Sequence, residues 1–175
     1  LGKRSMRRVH LVDAHDDMGG TMRWIPELPG LGEWARLVNY RKIQLDKLKN
    51  VEFIPNLRLS AKDVADYGAE IVIVATGSYW STDGLNGASH ATITGADASL
   101  AWQATPDQIM GEGKQLQGDN IVIFDNDGYF MGVSLAEKLA EEGKKVTLMT
   151  PLGTVGPYMH FTLEAPNQHR RLHKL

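Results

Sequence analysis

Asp13 closes the apolar run Val9-His10-Leu11-Val12 and is followed by Gly19, Gly20 and Thr21. An acid at the end of a buried strand can accept hydrogen bonds from both hydroxyls of a ribose, because a carboxylate offers paired acceptors. Two glycines after it let backbone approach a pyrophosphate with no side chain in the way. The plain alternative is a surface acid before an ordinary glycine turn. A second stretch, Ala75-Thr76-Gly77, follows Ile71-Val72-Ile73-Val74 and suits backbone that must pass close to a bound cofactor. A simple strand-to-loop turn explains those three residues equally well.

The third stretch is defined by what it lacks. Residues 125–132, Asp-Asn-Asp-Gly-Tyr-Phe-Met-Gly, stand where a nucleotide-binding strand-turn-helix unit carries its glycine loop. Counting forward from the strand puts Asp125, Asp127 and Phe130 on the G-x-G-x-x-G positions; counting back from the helix puts Asp127, Tyr129 and Gly132 there. Either register replaces the first glycine by aspartate. A carboxylate about 4 Å from a pyrophosphate charge costs on the order of 4 kcal/mol at an effective dielectric of about 20. Side chains there also obstruct the close backbone approach that phosphate binding at a helix N-terminus needs. The loop is therefore expected to be a pseudo-site kept for its packing. His169 and His173 share helical spacing, but no glutamate completes H-E-x-x-H and Arg170 and Arg171 lie between them, so no metal site is expected.

These stretches need strands and helices to position them. Residues 9–12, 51–54, 71–74 and 121–124 have the apolar, β-branched character of buried strands, and 71–74 is the strongest of them. Residues 31–48 carry apolar positions at Trp34, Leu37, Val38, Ile43, Leu45 and Leu48 that suit an amphipathic helix. Ser60 with Asp63 predicts a capped helix ending near Gly68, and Thr105-Pro106-Asp107 predicts a short helix to Met110. Val133 to Glu142 is the helix behind the aspartate loop, with Gly143 as its stop. Alternating strands and helices predict an α/β fold of two partial Rossmann-like, three-layer domains with parallel sheets. The boundary falls in the Ser-, Thr-, Gly- and Asn-rich stretch 78–95, giving 1–85 as a dinucleotide-binding-type domain without its first strand and glycine loop. Residues 86–175 form a NAD(P)-binding-like domain with a degenerate loop. Leu1 to Arg7 would be the tail of the preceding helix, and a first residue other than methionine suggests a piece of a longer chain.

Bulk properties narrow the function classes. The 175 residues are 42% hydrophobic and 23% charged, with a net charge of −2, which gives no electrostatic case for nucleic acid or an anionic membrane. No apolar run approaches the roughly 18 residues that span a bilayer, and the chain is expected to be cytoplasmic. The absence of cysteine excludes disulfides and thiolate ligands within these residues.

Several longer stretches carry a family resemblance. Val9 to Asp13 with Met18-Gly19-Gly20, Leu28-Pro29-Gly30-Leu31-Gly32-Glu33-Trp34, residues 75–84 and 95–99, Tyr129-Phe130-Met131 and Tyr158-Met159-His160-Phe161-Thr162-Leu163-Glu164 together resemble the C-terminal half of the trimethylamine, dimethylamine and histamine dehydrogenases. The resemblance covers nearly the whole chain. It implies an iron-sulfur flavoprotein whose N-terminal barrel, outside these residues, holds covalently linked FMN and a [4Fe-4S] cluster. In such an enzyme Asp13 corresponds to the ribose-binding acid of a structural ADP site, and Gly19 and Gly20 to its pyrophosphate turn. The resemblance also implies a homodimer that oxidises a small amine and passes electrons to an electron-transfer flavoprotein. The related dienoyl-CoA reductases keep a working second glycine loop and use NADPH. The aspartates at 125 and 127 favour the amine dehydrogenases and predict no NAD(P)H, with this region itself not catalytic. An NADPH-dependent enoate or dienoyl-CoA reductase and a freestanding adenine-nucleotide module are the alternatives.

Overall fold

The computed structural model describes residues 2–4 and 7–175. The helix tail expected over 1–7 lies partly outside the described residues; positions 2–4 form a turn. The chain divides into two compact units, one of residues 1–23 and 33–78, the other of residues 24–32 and 79–175. Each is an α/β arrangement around a short parallel sheet.

In the first unit, β1 (Val9–Val12) pairs in parallel with β2 (Val51–Ile54), Val9 opposite Val51 and Val12 opposite Ile54. The connection runs through α1 (Ala35–Asp46), as a parallel crossover requires. Trp34, Leu37 and Ile43 of the expected amphipathic face stay exposed, while Val38 and Leu45 are half-buried, so the helix is shorter and less two-sided than its pattern suggested. α2 (Ala61–Tyr67) opens with a reciprocal capping box between Ser60 and Asp63 and stops at Gly68, whose φ of 69° places it in the left-handed region. The Ser60 hydroxyl and its backbone N–H, both hydrogen-bonded to the Asp63 carboxylate, hold that acid below the usual carboxylate range.

The strand expected at 71–74 is not formed. Ile71 to Val74 take no partner strand among the described residues, and their side chains are open to solvent, Val74 to 78%. Four β-branched residues give propensity for a strand, but a strand exists only where a neighbour supplies its hydrogen bonds. An Arg7–Glu70 ion pair lies immediately before this segment.

In the second unit, β3 (Asn120–Phe124) pairs in parallel with β4 (Lys145–Met149) through α3 (Phe130–Glu141). α3 is buried along most of its length, and Ile121, Ile123, Val146 and Leu148 alternate with exposed neighbours on the strands. β3, read from sequence as a buried strand, leaves Val122 and Phe124 exposed, because among the described residues the helix layer packs on its other face. Gly143, with φ of 87°, ends the α3 turn as expected. Asp107–Gly111 is a single π-helical turn, opened by Thr105, whose Oγ1 accepts from the Gln108 N–H while Gln108 Oε1 accepts from the Thr105 N–H. α4 (Ala165–Leu172) completes the unit. Every fully buried residue among those described lies in this second unit, where two hydrophobic clusters form, one of Trp24, Leu28, Leu31 and Met131, the other of Val133, Met159 and Ala165.

Candidate functional site

In the first unit, parallel strands put their carboxyl ends on one side, where ligands of such sheets bind. Asp13 stands at that end of β1, its backbone N–H donating to Ile54 O at 3.1 Å. The residue is half-buried, and Oδ1 accepts from the His15 N–H at 3.0 Å, while Oδ2 has no hydrogen-bond partner among the described residues. Gly19 (φ 128°) packs against Val38, where a Cβ would lie 3.3 Å from a Val38 methyl. Gly20 (φ 54°) faces open space and starts the short turn of helix containing the exposed Thr21. Asp17 fixes this loop to α1 through an ion pair with Lys42, and that contact holds its carboxyl below the usual range. Ala75, Thr76 and Gly77 are exposed, and a Cβ on Gly77 would meet nothing within 4 Å among the described residues. The nucleotide-facing residues expected from sequence therefore fall on two stretches of this unit, of which only the first is anchored by the sheet.

In the second unit the aspartate loop joins β3 to α3. The Asp125 carboxylate turns inward, is 4% exposed, and its Oδ1 accepts from the N–H of Asp127 at 3.0 Å and of Gly128 at 3.1 Å. Gly132 lies against it: a Cβ there would come within 2.7 Å of Asp125 Cγ. That close approach of helix to strand end is the role of the third glycine in G-x-G-x-x-G, and it selects the register counted back from the helix. Gly128 (φ 67°) is packed beneath Leu152, Pro157 and Tyr158, and the Asn126 amide donates to Asn86 Oδ1 at 3.0 Å. Burial, and then the neighbouring Asp125 carboxylate, pushes the Asp127 carboxyl above its ordinary range, against a pull from the Tyr129 N–H.

Beside this loop, α3 and α4 share a buried polar cluster that the sequence pattern did not single out. Glu137, 2% exposed, accepts from Arg171 Nε at 2.6 Å and from Gln168 Nε2 at 3.1 Å, and Arg171 also donates to Gln168 Oε1. Ser134 Oγ lies 3.4 Å from Gln168 Nε2. The cluster borders a cavity of about 200 Å³ reached by Gly30, Phe130, Met159 and Glu164. A glutamate in the otherwise apolar run Val133-Ser134-Leu135-Ala136-Glu137 was the available signal, since a buried charge needs a partner. His169 is engaged elsewhere, its Nε2 at 2.8 Å from Val155 O, and no group of three or more His, Asp or Glu among the described residues is arranged to hold a metal.

Over 172 residues, 95% of its length, the chain is 45% identical to the dimethylamine dehydrogenase of Hyphomicrobium sp. (strain x). The chain belongs to the amine dehydrogenase family. The structures agree: a 6-hydroxypseudooxynicotine amine oxidase (HisD) from Pseudomonas geniculata N1 matches 95% of the chain with a TM-score of 0.87 at 34% identity. Histamine dehydrogenase from Rhizobium sp. 4-9 matches 95% of it with a TM-score of 0.84 at 38% identity. Residues 104–175 match the family model of the OYE-like second alpha/beta domain. The chain spans about a quarter of these relatives, 23% of the dimethylamine dehydrogenase and 24% and 26% of the two solved chains. The aspartate loop and the glutamate cluster lie within residues 104–175, the stretch that matches the family model. No helix among the described residues is long and apolar enough to cross a membrane.

Proposed function

We propose that this chain is a non-catalytic, nucleotide-binding-like region of a cytoplasmic, homodimeric amine dehydrogenase that uses FMN and a [4Fe-4S] cluster held outside these residues. The whole enzyme oxidises a small amine such as trimethylamine, dimethylamine or histamine and passes the electrons to an electron-transfer flavoprotein. The observation that carries this reading is the identity to dimethylamine dehydrogenase across nearly the full chain, joined to a β3–α3 loop filled by Asp125 and Asp127.

The chain is taken as parts of two Rossmann-like domains, with 1–85 the ADP-holding part and 86–175 the part that accepts no NAD(P)H. Asp13, with an unengaged carboxylate oxygen at the carboxyl end of β1, suits a ribose hydroxyl, and the open Gly20 suits close backbone approach of a pyrophosphate. Thr21 and the Ala75-Thr76-Gly77 stretch are assigned to the same nucleotide. ADP here serves structure, and its affinity for this chain alone is weak.

The test uses the full-length enzyme. Reduction of the flavin by dimethylamine or histamine, with no bleaching by NADPH at a useful rate, is the expected result. Rapid bleaching by NADPH overturns the assignment in favour of an enoate or dienoyl-CoA reductase.

A further inference from the structure

The loop at 125–128 has the form of an anion-binding nest. Successive backbone N–H groups of Asp127 and Gly128 converge, with Gly128 in the left-handed conformation that such concavities use. The nest sits at the carboxyl end of β3, immediately before α3, which is where parallel α/β units bind phosphate. Its occupant is already present. Asp125 Oδ1 takes both N–H groups, and Oδ2 is buried against Gly132 with no partner among the described residues. The side chain is tethered to the last position before the nest, and Asp125 N is itself fixed to Met149 O at 2.7 Å. Leu152, Pro157 and Tyr158 close over Gly128.

We propose that Asp125 is a tethered internal anion that fills the nest of the β3–α3 loop, and that this occupation of the donors makes Asp125 the residue that determines rejection of nucleotide phosphate. The inference rests on the reading that the second unit takes no pyridine nucleotide and gives it a different cause. Charge repulsion alone needs only a nearby carboxylate; donor occupation needs an acceptor oxygen in the nest, charged or not. Asp127 adds a second negative charge beside the first, which fits its raised carboxyl but leaves the nest to Asp125.

The two causes separate in a pair of substitutions with the same net charge. Asp125→Gly empties the nest, while Asp125→Asn keeps an amide oxygen in it. The probe is formate, the smallest free carboxylate, compared with chloride at matched ionic strength in thermal unfolding of the chain. Formate should raise the Tm of Asp125→Gly by a few degrees, as binding to the folded state alone requires, and leave Asp125→Asn and the parent unchanged. An equal response of Asp125→Asn, or no response of Asp125→Gly, overturns the proposal. If Asp125→Gly does not fold even in formate, amide exchange of the parent decides. Protected Asp127 and Gly128 amides support it, and exchange at free-loop rates refutes it. NADPH binding by the parent chain would instead sink the wider reading of the second unit, whatever formate does.

Discussion

Gly30→Ala is the sharpest test of the buried polar cluster, because two separable terms act at one atom. The backbone at Gly30 has φ of 76°, and holding alanine there costs about 1–2 kcal/mol, offset by roughly 0.4–1 kcal/mol from the stiffer unfolded chain. The new Cβ would also lie 2.8 Å from Arg171 Nη2 and 3.2 Å from Cζ. The guanidinium end is mobile enough to swing away, but swinging breaks its bonds to Glu137 and Gln168 and strips the buried Glu137 of its counter-ion. Loss of such a charge-assisted bond costs about 1.5–3 kcal/mol, and the lower part of that range applies because Arg171 is partly open to solvent. The sum is about 2–3 kcal/mol. In an Arg171→Met background only the backbone remainder, about 0–1.6 kcal/mol, should persist. Urea unfolding followed through tryptophan fluorescence, to which the buried Trp24 of the same unit contributes, measures both. A Gly30→Ala cost that survives undiminished in Arg171→Met refutes the clash with the guanidinium. A cost near zero in the parent refutes the geometry altogether.

The acids give predictions of opposite sign. Asp17 is held low by Lys42, so its contribution is present above a pH of about 4 and lost as pH falls through the lowered value. Lys42→Met should flatten the acid limb of the unfolding curve in the first unit, and an unchanged limb counts against the pair. Asp127 is raised, so its protonated form favours the fold and stability declines as pH rises from about 4 through the raised value. Asp127→Asn should therefore raise Tm at neutral pH and have little effect near pH ~3; the reverse order would show that the loop prefers the charge. Lys114 Nζ donates to the carbonyls of Ala98, Leu100 and Gln103 at 2.6 to 2.9 Å, so Lys114→Met should speed amide exchange and proteolysis within 95–105 while sparing α3. Calorimetric titration of the chain with ADP should show millimolar affinity or none, and tight binding would mean that the Asp13 and Gly20 region suffices.

Features governed by neighbours in sequence were legible, and those governed by distant partners were not. The capping box at Ser60 and Asp63, the stop at Gly143, and β1, β2 and β3 depend on patterns within a few residues. Ile71 to Val74 misled for the same reason, since local propensity says nothing about whether a neighbouring strand exists. The Glu137–Gln168–Arg171 cluster joins side chains more than thirty positions apart, beyond the reach of periodicity. At the aspartate loop the departure from the glycine motif was plain, but the inward turn of Asp125 depends on Gly128 adopting the left-handed conformation and on Gly132 leaving room.

Ile71 to Val74 also has a practical meaning. Four apolar β-branched residues without a charge, proline or glycine, exposed and unpaired, are the ingredients of a cross-β template. Glu70 on one side is the nearest charged gatekeeper, and it is already committed to Arg7. Self-association through this segment is therefore expected when the chain is produced alone, and Ile73→Lys should lower the light scattering of concentrated solutions.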